Sequence, residues 1–203
     1  MFILKLTSNN INKTAEVAAK FIKNGKVIIC PTDTVYGLIC DATDKKAVKR
    51  IFKIKNRSES KPVPIFVKDI KSAEKIAEIN ENQKIFLRKK WPGKMTVVLK
   101  RKGKKKIYGV DKKTIAIRIP KHKLINLLFK KSDNFLAETS VNISGQPPLN
   151  DIKKIIQQFE KGDFIKNSEG KPDLIIDAGK LKSKKSSIVI DLTGEKYKVL
   201  RKG

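Results

Sequence analysis

Two spacings of apolar residues alternate along this chain. Ile11, Ala15, Ala18, Phe21 and Ile22 fall on one stripe of a helix over 11–24, which Gly25 ends. Val27-Ile28-Ile29-Cys30 then reads as a buried strand, broken by Pro31-Thr32-Asp33-Thr34. Ala47, Val48, Ile51 and Phe52 mark a helix over 44–54, and a short strand follows at 63–67. Two helical segments, 71–79 and 82–91, lead into Trp91-Pro92-Gly93. Strands are predicted at 95–100, 114–119 and 134–138, with a helix over 121–131 after Pro120 and another over 151–160. The tail is β-rich, with strands predicted at 173–177, 187–192 and 197–201. Gly103 to Asp111 reads as an exposed, lysine-rich loop. With no internal repeat and no low-complexity linker, the economical reading is one α/β domain over residues 1–203.

Charge changes that picture. Lys and Arg number 47 against 20 Asp and Glu, a formal net charge of +27 over 203 residues. Only six of the 47 are arginine, and the lysines are spread along the chain, with local clusters at Lys104-Lys105-Lys106 and Lys184-Lys185. Scattered lysine is the pattern of a solvated surface, so the charge speaks for affinity toward polyanions, ATP included, more than for a dedicated nucleic-acid groove. No apolar run approaches the roughly 18 residues of a membrane span. The start, Met1-Phe2-Ile3-Leu4-Lys5, lacks a secretory signal pattern, so a soluble, cytoplasmic chain is expected. Cys30 and Cys40 form no CxxC pair, and His122 is the lone histidine. Neither supports a zinc or iron site.

Five segments carry candidate chemistry. Pro31-Thr32-Asp33-Thr34-Val35-Tyr36-Gly37-Leu38 sets two hydroxyls, a carboxylate and a phenol just past a buried strand, where α/β sheets hold ligands. A capped polar turn explains the same composition. Lys55-Asn56-Arg57, with Lys61 following, can converge on one anion if the chain turns there. In Thr114-Ile115-Ala116-Ile117-Arg118-Ile119 the isoleucines share one sheet face, leaving Ala116 and Arg118 on the other. That suggests a wet or ligand-filled face, or simply a surface arginine. Glu138-Thr139-Ser140-Val141-Asn142-Ile143-Ser144-Gly145 follows a strand and offers hydroxyl, amide and backbone donors to phosphate. No Walker-type loop and no GxSxG elbow is present. Arg201 ends the last strand and gains meaning only if that strand pairs into the sheet near an anion site.

In combination these segments resemble the YrdC-like family of threonylcarbamoyl-AMP synthases. PTDTVYGL at 31–38, KNR at 55–57, WPGKMT at 91–96, AIRIPKH at 116–122, SVNISG at 140–145 and LRKG at 200–203 occur in the family's order. The resemblance implies a twisted mixed α/β sheet with surrounding helices and a large basic concave cavity. It implies an enzyme that joins L-threonine, bicarbonate and ATP, with magnesium, into threonylcarbamoyl-AMP and pyrophosphate. A downstream threonylcarbamoyl transferase complex would then modify tRNA, with direct tRNA contact possible and no membrane involved.

Carried over residue by residue, Lys55, Arg57, Ser140 and Asn142 would form the catalytic set. Lys61, Thr114 and Arg201 would join them around ATP. Thr34, Tyr36, Arg118 and Ser186 would hold L-threonine. No protein-bound metal is implied. The chain departs from the family pattern at Thr139, Val141 and Ser187, and has no histidine in 62–68. The competing reading is a non-catalytic tRNA or double-stranded RNA binding module on the same fold, to which the net charge points. A carbamoyl-transfer enzyme of hydrogenase maturation is a third reading, which the lack of zinc-finger cysteines argues against.

Overall fold

The computed structural model describes residues 1–103, 105–132, 135–160, 170–183 and 185–203. Its first half runs β1 (Phe2–Lys5), α1 (Ile11–Lys23), β2 (Ile28–Cys30), β3 (Gly37–Asp41), α2 (Lys45–Lys55), β4 (Ile65–Phe66), α3 (Ile70–Ala73) and α4 (Glu81–Lys90). There follow β5 (Met95–Lys100), β6 (Thr114–Arg118), α5 (Lys123–Lys131), β7 (Leu136–Ser140), α6 (Ile152–Glu160), β8 (Leu174–Asp177), β9 (Ile188–Asp191) and β10 (Lys198–Arg201). All ten strands join one mixed sheet in the order β1-β8-β2-β3-β7-β4-β6-β5-β9-β10.

Strand alternation sorts the core into two layers. Ile29, Leu38, Cys40, Ile65, Val97, Ile115, Ile117 and Ala137 face one side, under Val48, Ile51 and Phe52 of α2, Leu87 of α4, and Ile152, Ile155 and Phe159 of α6. Ile28, Cys30, Ile39, Phe66, Leu136, Leu174 and Ile176 face the other, under Ala15, Ala18, Ala19 and Ile22 of α1 and Leu124, Ile125, Leu128 and Phe129 of α5. The second layer stops at β4. Over β6, β5, β9 and β10 that same face turns polar, with Arg118, Thr96, Ser187 and Arg201. A helix pair covering only half of one face is what leaves an open floor in the sheet.

Several elements differ from the sequence reading. β1 and β3 were not expected. β1 is four residues at an edge, pairing parallel with β8. β3 begins at Gly37, inside the segment read as a polar turn, and pairs antiparallel with both β2 and β7. The helix expected at 71–79 shrinks to Ile70–Ala73, because Ala77 leaves it to bridge Arg101 and the Glu78 N–H donates to the Lys100 carbonyl. Sheet pairing outweighs the helical spacing there. The strand expected at 134–138 runs Leu136–Ser140, and its expected start at 134 lies outside the described residues, as do Lys104 and Lys184 of the lysine clusters.

α2 starts where Asp44 accepts hydrogen bonds from the backbone N–H groups of Lys46 (2.8 Å) and Ala47 (3.1 Å). A Cβ at Gly25, whose φ is +68°, would lie 2.6 Å from the Asp44 carboxylate, so the turn after α1 and the cap of α2 fit together through that glycine. Asp44→Ala is expected to cost about 1 kcal/mol in chemical denaturation, the usual loss of an N-cap side chain.

Candidate functional site

The open floor is the base of a cavity of about 280 Å³. Its walls include Thr34, Lys55, Arg57, Arg118, Glu138, Ser140, Asn142, Ser186, Ser187 and Arg201.

The α2 terminus supplies two of the cations. Asn56 adopts the left-handed conformation (φ 48°, ψ 49°) as the cap of α2, a geometry asparagine tolerates. The chain reverses there, so Lys55 and Arg57 reach the same cavity rather than opposite sides. Lys55 is 2% exposed. Its ammonium donates to the Ser140 carbonyl (2.7 Å) and to Asn142 Oδ1 (2.9 Å), with Ser140 Oγ at 3.4 Å. The Ser140 hydroxyl donates to Asn142 Oδ1 (2.7 Å), and the Asn142 amide donates to the carbonyls of Ile143 and Gln146. Lys55 therefore braces the 140–146 turn from beneath. Burial, followed by the nearby Arg57, lowers its pKa to about 8.

Arg57 is half-buried. Its Nε and one terminal nitrogen donate to the carbonyls of Lys61 and Pro62, each at 2.9 Å. Arg201 enters from β10, which does pair into the sheet beside β9. It donates through Nε and NH2 to the Ser187 carbonyl (3.1 and 2.8 Å) and through NH2 to Ser187 Oγ (3.1 Å). Ser187 Oγ in turn shares a proton with Thr96 Oγ1 at 2.8 Å. Each arginine keeps one terminal nitrogen, NH1, without a partner among the described residues. Burial pulls both guanidinium pKa values down; at Arg57 the charge of Arg201 adds to it, while at Arg201 the Glu138 carboxyl opposes it and Arg118 adds to it. A partly buried Arg57 and an exposed Arg201 thus line one cavity wall, and such planar forks suit the recognition of an anion.

The other end is built on Arg118. It is 2% exposed and stacks over the Phe66 ring at 5.4 Å. Nε donates to the Gly93 carbonyl (3.0 Å), NH1 to Thr34 Oγ1 (3.2 Å) and NH2 to Asp33 Oδ1 (2.6 Å). Thr34 Oγ1 also lies 2.9 Å from Thr32 Oγ1, and Asp33 accepts from the Lys121 backbone N–H (3.1 Å). Three of the five guanidinium N–H groups are thus used, and two remain for a ligand.

Among the predicted residues, Thr34, Lys55, Arg57, Arg118, Ser140, Asn142, Ser186 and Arg201 come together in the cavity wall. Tyr36, Lys61 and Thr114 do not. Tyr36 lies on the opposite face, where its hydroxyl donates to the Gly179 carbonyl (2.8 Å) and accepts from the Ala178 N–H (3.0 Å). The Lys61 side chain is exposed, and its carbonyl seats Arg57. Thr114 sits at the far end of β6, bonded to Asp111. The sequence reading gave no role to Glu138, Asp33 or Ser187. The signal for Glu138 was there: it stands two residues before Ser140 on one strand and so shares its face.

A broader groove of about 1180 Å³ runs between α3, the Trp91-Pro92 turn and α5, edged by Lys23, Lys68, Lys71, Lys130 and Lys131. Among the described residues no group of three His, Cys, Asp or Glu could hold a metal, and no helix is long and apolar enough to cross a membrane. Cys30 and Cys40 are buried thiols whose pKa values burial raises, so both are neutral.

Fold and cavity together define an α/β protein with a cavity on the uncovered half of a mixed sheet, its wall carrying Lys55, Arg57, Arg118 and Arg201. The chain belongs to the Sua5/YciO/YrdC family, whose model, described as "Telomere recombination", matches residues 20–203. A Methanocaldococcus jannaschii relative, named provisionally as a threonylcarbamoyl-AMP synthase, is 37% identical over 202 residues, covering 99% of this chain and 91% of the relative. The threonylcarbamoyl-AMP synthase of Pyrococcus abyssi is 35% identical over 189 residues, and the chain matches 53% of that longer protein. The solved structure of P. abyssi Sua5 complexed with L-threonine superposes with a TM-score of 0.83 at 33% identity, covering 98% of this chain and 56% of that one. Escherichia coli YciO also superposes at 0.83, with 25% identity over the whole chain.

Proposed function

We propose that this chain is an L-threonylcarbamoyl-AMP synthase. It makes threonylcarbamoyl-AMP and pyrophosphate from L-threonine, bicarbonate and ATP, in the cytoplasm, for threonylcarbamoyladenosine in tRNA. The observation that carries the reading is one cavity with two differently built ends. Arg57, Arg201 and the Ser140–Asn142 turn make an anion site at one end, and Arg118 with Thr34 makes a carboxylate-and-hydroxyl site at the other.

In this reading Arg118 offers its two unused N–H groups to the threonine carboxylate. Thr34 and Ser186 face the rest of the amino acid. The free nitrogens of Arg57 and Arg201, with the Ser140 hydroxyl, take the triphosphate. Lys55 adds its charge from beneath the turn, and Asn142 holds that turn in shape. Tyr36 and Lys61 act through what they fix, the 178–179 turn and the Arg57 fork. Thr114, on the strand face of Arg118 but outside the cavity wall, is left to meet the part of the nucleotide that extends beyond it. The reaction brings two anions together, a carbamate oxygen and the α-phosphorus of ATP. Preplaced cations and donors lower that repulsion and fix the approach. Among the described residues no carboxylate cluster could hold the ion, so magnesium would arrive on the triphosphate, held by phosphate oxygens and water, and would neutralise the departing pyrophosphate. A downstream threonylcarbamoyl transferase complex then consumes the product. The lysine-edged groove beside α5 suits a polyanion such as tRNA.

The experiment is pyrophosphate release from ATP and magnesium, omitting L-threonine and bicarbonate in turn. Release that requires both is expected. Release without threonine, or none at all, would overturn the assignment.

A further inference from the structure

One carboxylate stands apart in this cavity. Glu138 is 7% exposed and lines the wall, yet no hydrogen bond from any described residue reaches its side chain. Its seat is the bare backbone of Gly37: a Cβ there would lie 2.7 Å from Glu138 Oε1. Two glycine hydrogens thus let a carboxyl lie flat against the sheet, in line with Ser140 and about 7 Å before it along β7. The groups that face it are Lys55 at the end of α2, Arg118 on β6, Arg201 on β10, Asp33 in the β2–β3 turn and Cys30 at the end of β2. It shares its cavity wall with Thr34 and Arg118 of one end and with Lys55, Ser140 and Arg201 of the other. Its oxygens are not sealed in the interior but open to the cavity, where a bound group can meet them.

We propose that Glu138 is the proton acceptor of the first half-reaction, receiving the α-ammonium of the amino acid and taking the proton its nitrogen must lose before it can become a carbamate. This rests on the synthase reading above. The step balances. The ammonium gives one proton to a Glu138 oxygen and becomes a free amine. The amine nitrogen bonds to the carbon of bicarbonate while a C–O bond breaks. The hydroxyl leaves with a second nitrogen proton as water, yielding the carbamate. Glu138 then returns its proton to solvent at the cavity mouth.

Competing acceptors are engaged or neutral. Asp33 is bound by Arg118 and the Lys121 N–H. The Lys55 ammonium spends its N–H groups on Ser140 and Asn142. The Cys30 thiol is held protonated by burial. Burial raises the Glu138 pKa, and Arg118, Lys55 and Arg201 oppose the rise, leaving it at about 7. A base of that strength exchanges protons readily near neutrality.

Glu138→Gln keeps the shape and removes the base. With saturating ATP, magnesium and bicarbonate, its kcat for threonine-dependent pyrophosphate release is expected to fall about 100-fold or more. The rise of wild-type activity through pH 7 should vanish, and the L-threonine Kd by calorimetry should move less than tenfold. Glu138→Asp should recover part of the rate and keep the rise. Lys55, lowered to about 8, would give a limb of the opposite sign, activity falling as pH increases, and that limb should survive in Glu138→Gln.

Stability supplies a readout independent of turnover. The folded pKa is above the unfolded one, so wild type loses stability as pH rises from about 4.5 through 7, and Glu138→Gln should melt at or above wild type at pH 8, the gap closing toward pH 5. Full turnover in Glu138→Gln with the rise intact would overturn this role and leave the synthase reading standing. A melting temperature several degrees below wild type at pH 8 would make Glu138 a structural residue and overturn it as well. No threonine-dependent release from wild type would remove both readings together.

Discussion

Arg57→Ala is expected to lower threonine-dependent pyrophosphate release by about 100-fold or more, the scale of losing one preplaced donor to developing charge. The fold should barely notice. Arg57 is half-buried, and its two internal hydrogen bonds go to carbonyls of its own loop, at Lys61 and Pro62. Those carbonyls border solvent, so water replaces the lost donors. A melting shift of no more than about 2–4 °C is expected, equivalent to about 1 kcal/mol in a chain of this length. Arg57→Lys tests what the guanidinium adds beyond charge. A lysine carries the charge but cannot hold two backbone carbonyls and still present a nitrogen to phosphate, so its rate should fall between those of wild type and Arg57→Ala.

The same substitution separates catalysis from general polyanion affinity. Arg57 is one cation of 47, and nonspecific RNA binding sums over many such contacts. Filter binding of bulk tRNA should therefore stay within about twofold while turnover is lost. A parallel loss of both would mean that the cavity is the RNA site and that the non-catalytic reading deserves to return.

How much of this was readable beforehand depends on the range of the interaction. Strong local spacing located most helices and strands, because a helix stripe such as Ala15-Ala18-Ile22 reports its own burial. β1 and β3 escaped because their pairing is decided elsewhere. β3 exists by lying between β2 and β7, about 100 residues away in the second case, and its opening glycine looked like part of a turn. The site divided the same way. Lys55, Arg57, Ser140 and Asn142 sit in motifs whose order survives in one dimension. That Lys55 is spent on the 140–142 turn, 85 residues distant, is a fact of packing. Glu138 was in plain view within its motif, but its lack of a hydrogen-bond partner and its seat on Gly37 appear only when β3 and β7 are laid side by side. Tyr36 was placed in the pocket by its neighbours in sequence, and strand alternation sent it to the other face.

Arg118→Met should do two separable things. The Arg118–Asp33 pair is almost wholly inside the protein, with side-chain exposures of 2% and 9%. Removing one partner of such a pair strands the other, and costs about 3–5 kcal/mol. The same change removes the two N–H groups proposed for the threonine carboxylate, weakening L-threonine binding about 10- to 100-fold, the scale of a lost charged hydrogen bond. Asp33→Asn on top of Arg118→Met then distinguishes the two effects. An asparagine can still accept from the Lys121 N–H through its amide oxygen, and it carries no charge to strand. The double variant should recover about half or more of the lost stability in denaturant titrations, and none of the lost threonine affinity. Recovery of both would mean that Arg118 acts on threonine only by holding the Pro31–Thr34 turn in place. Recovery of neither would mean that the stability of this end of the sheet rests on the Gly93 and Thr34 hydrogen bonds rather than on the ion pair.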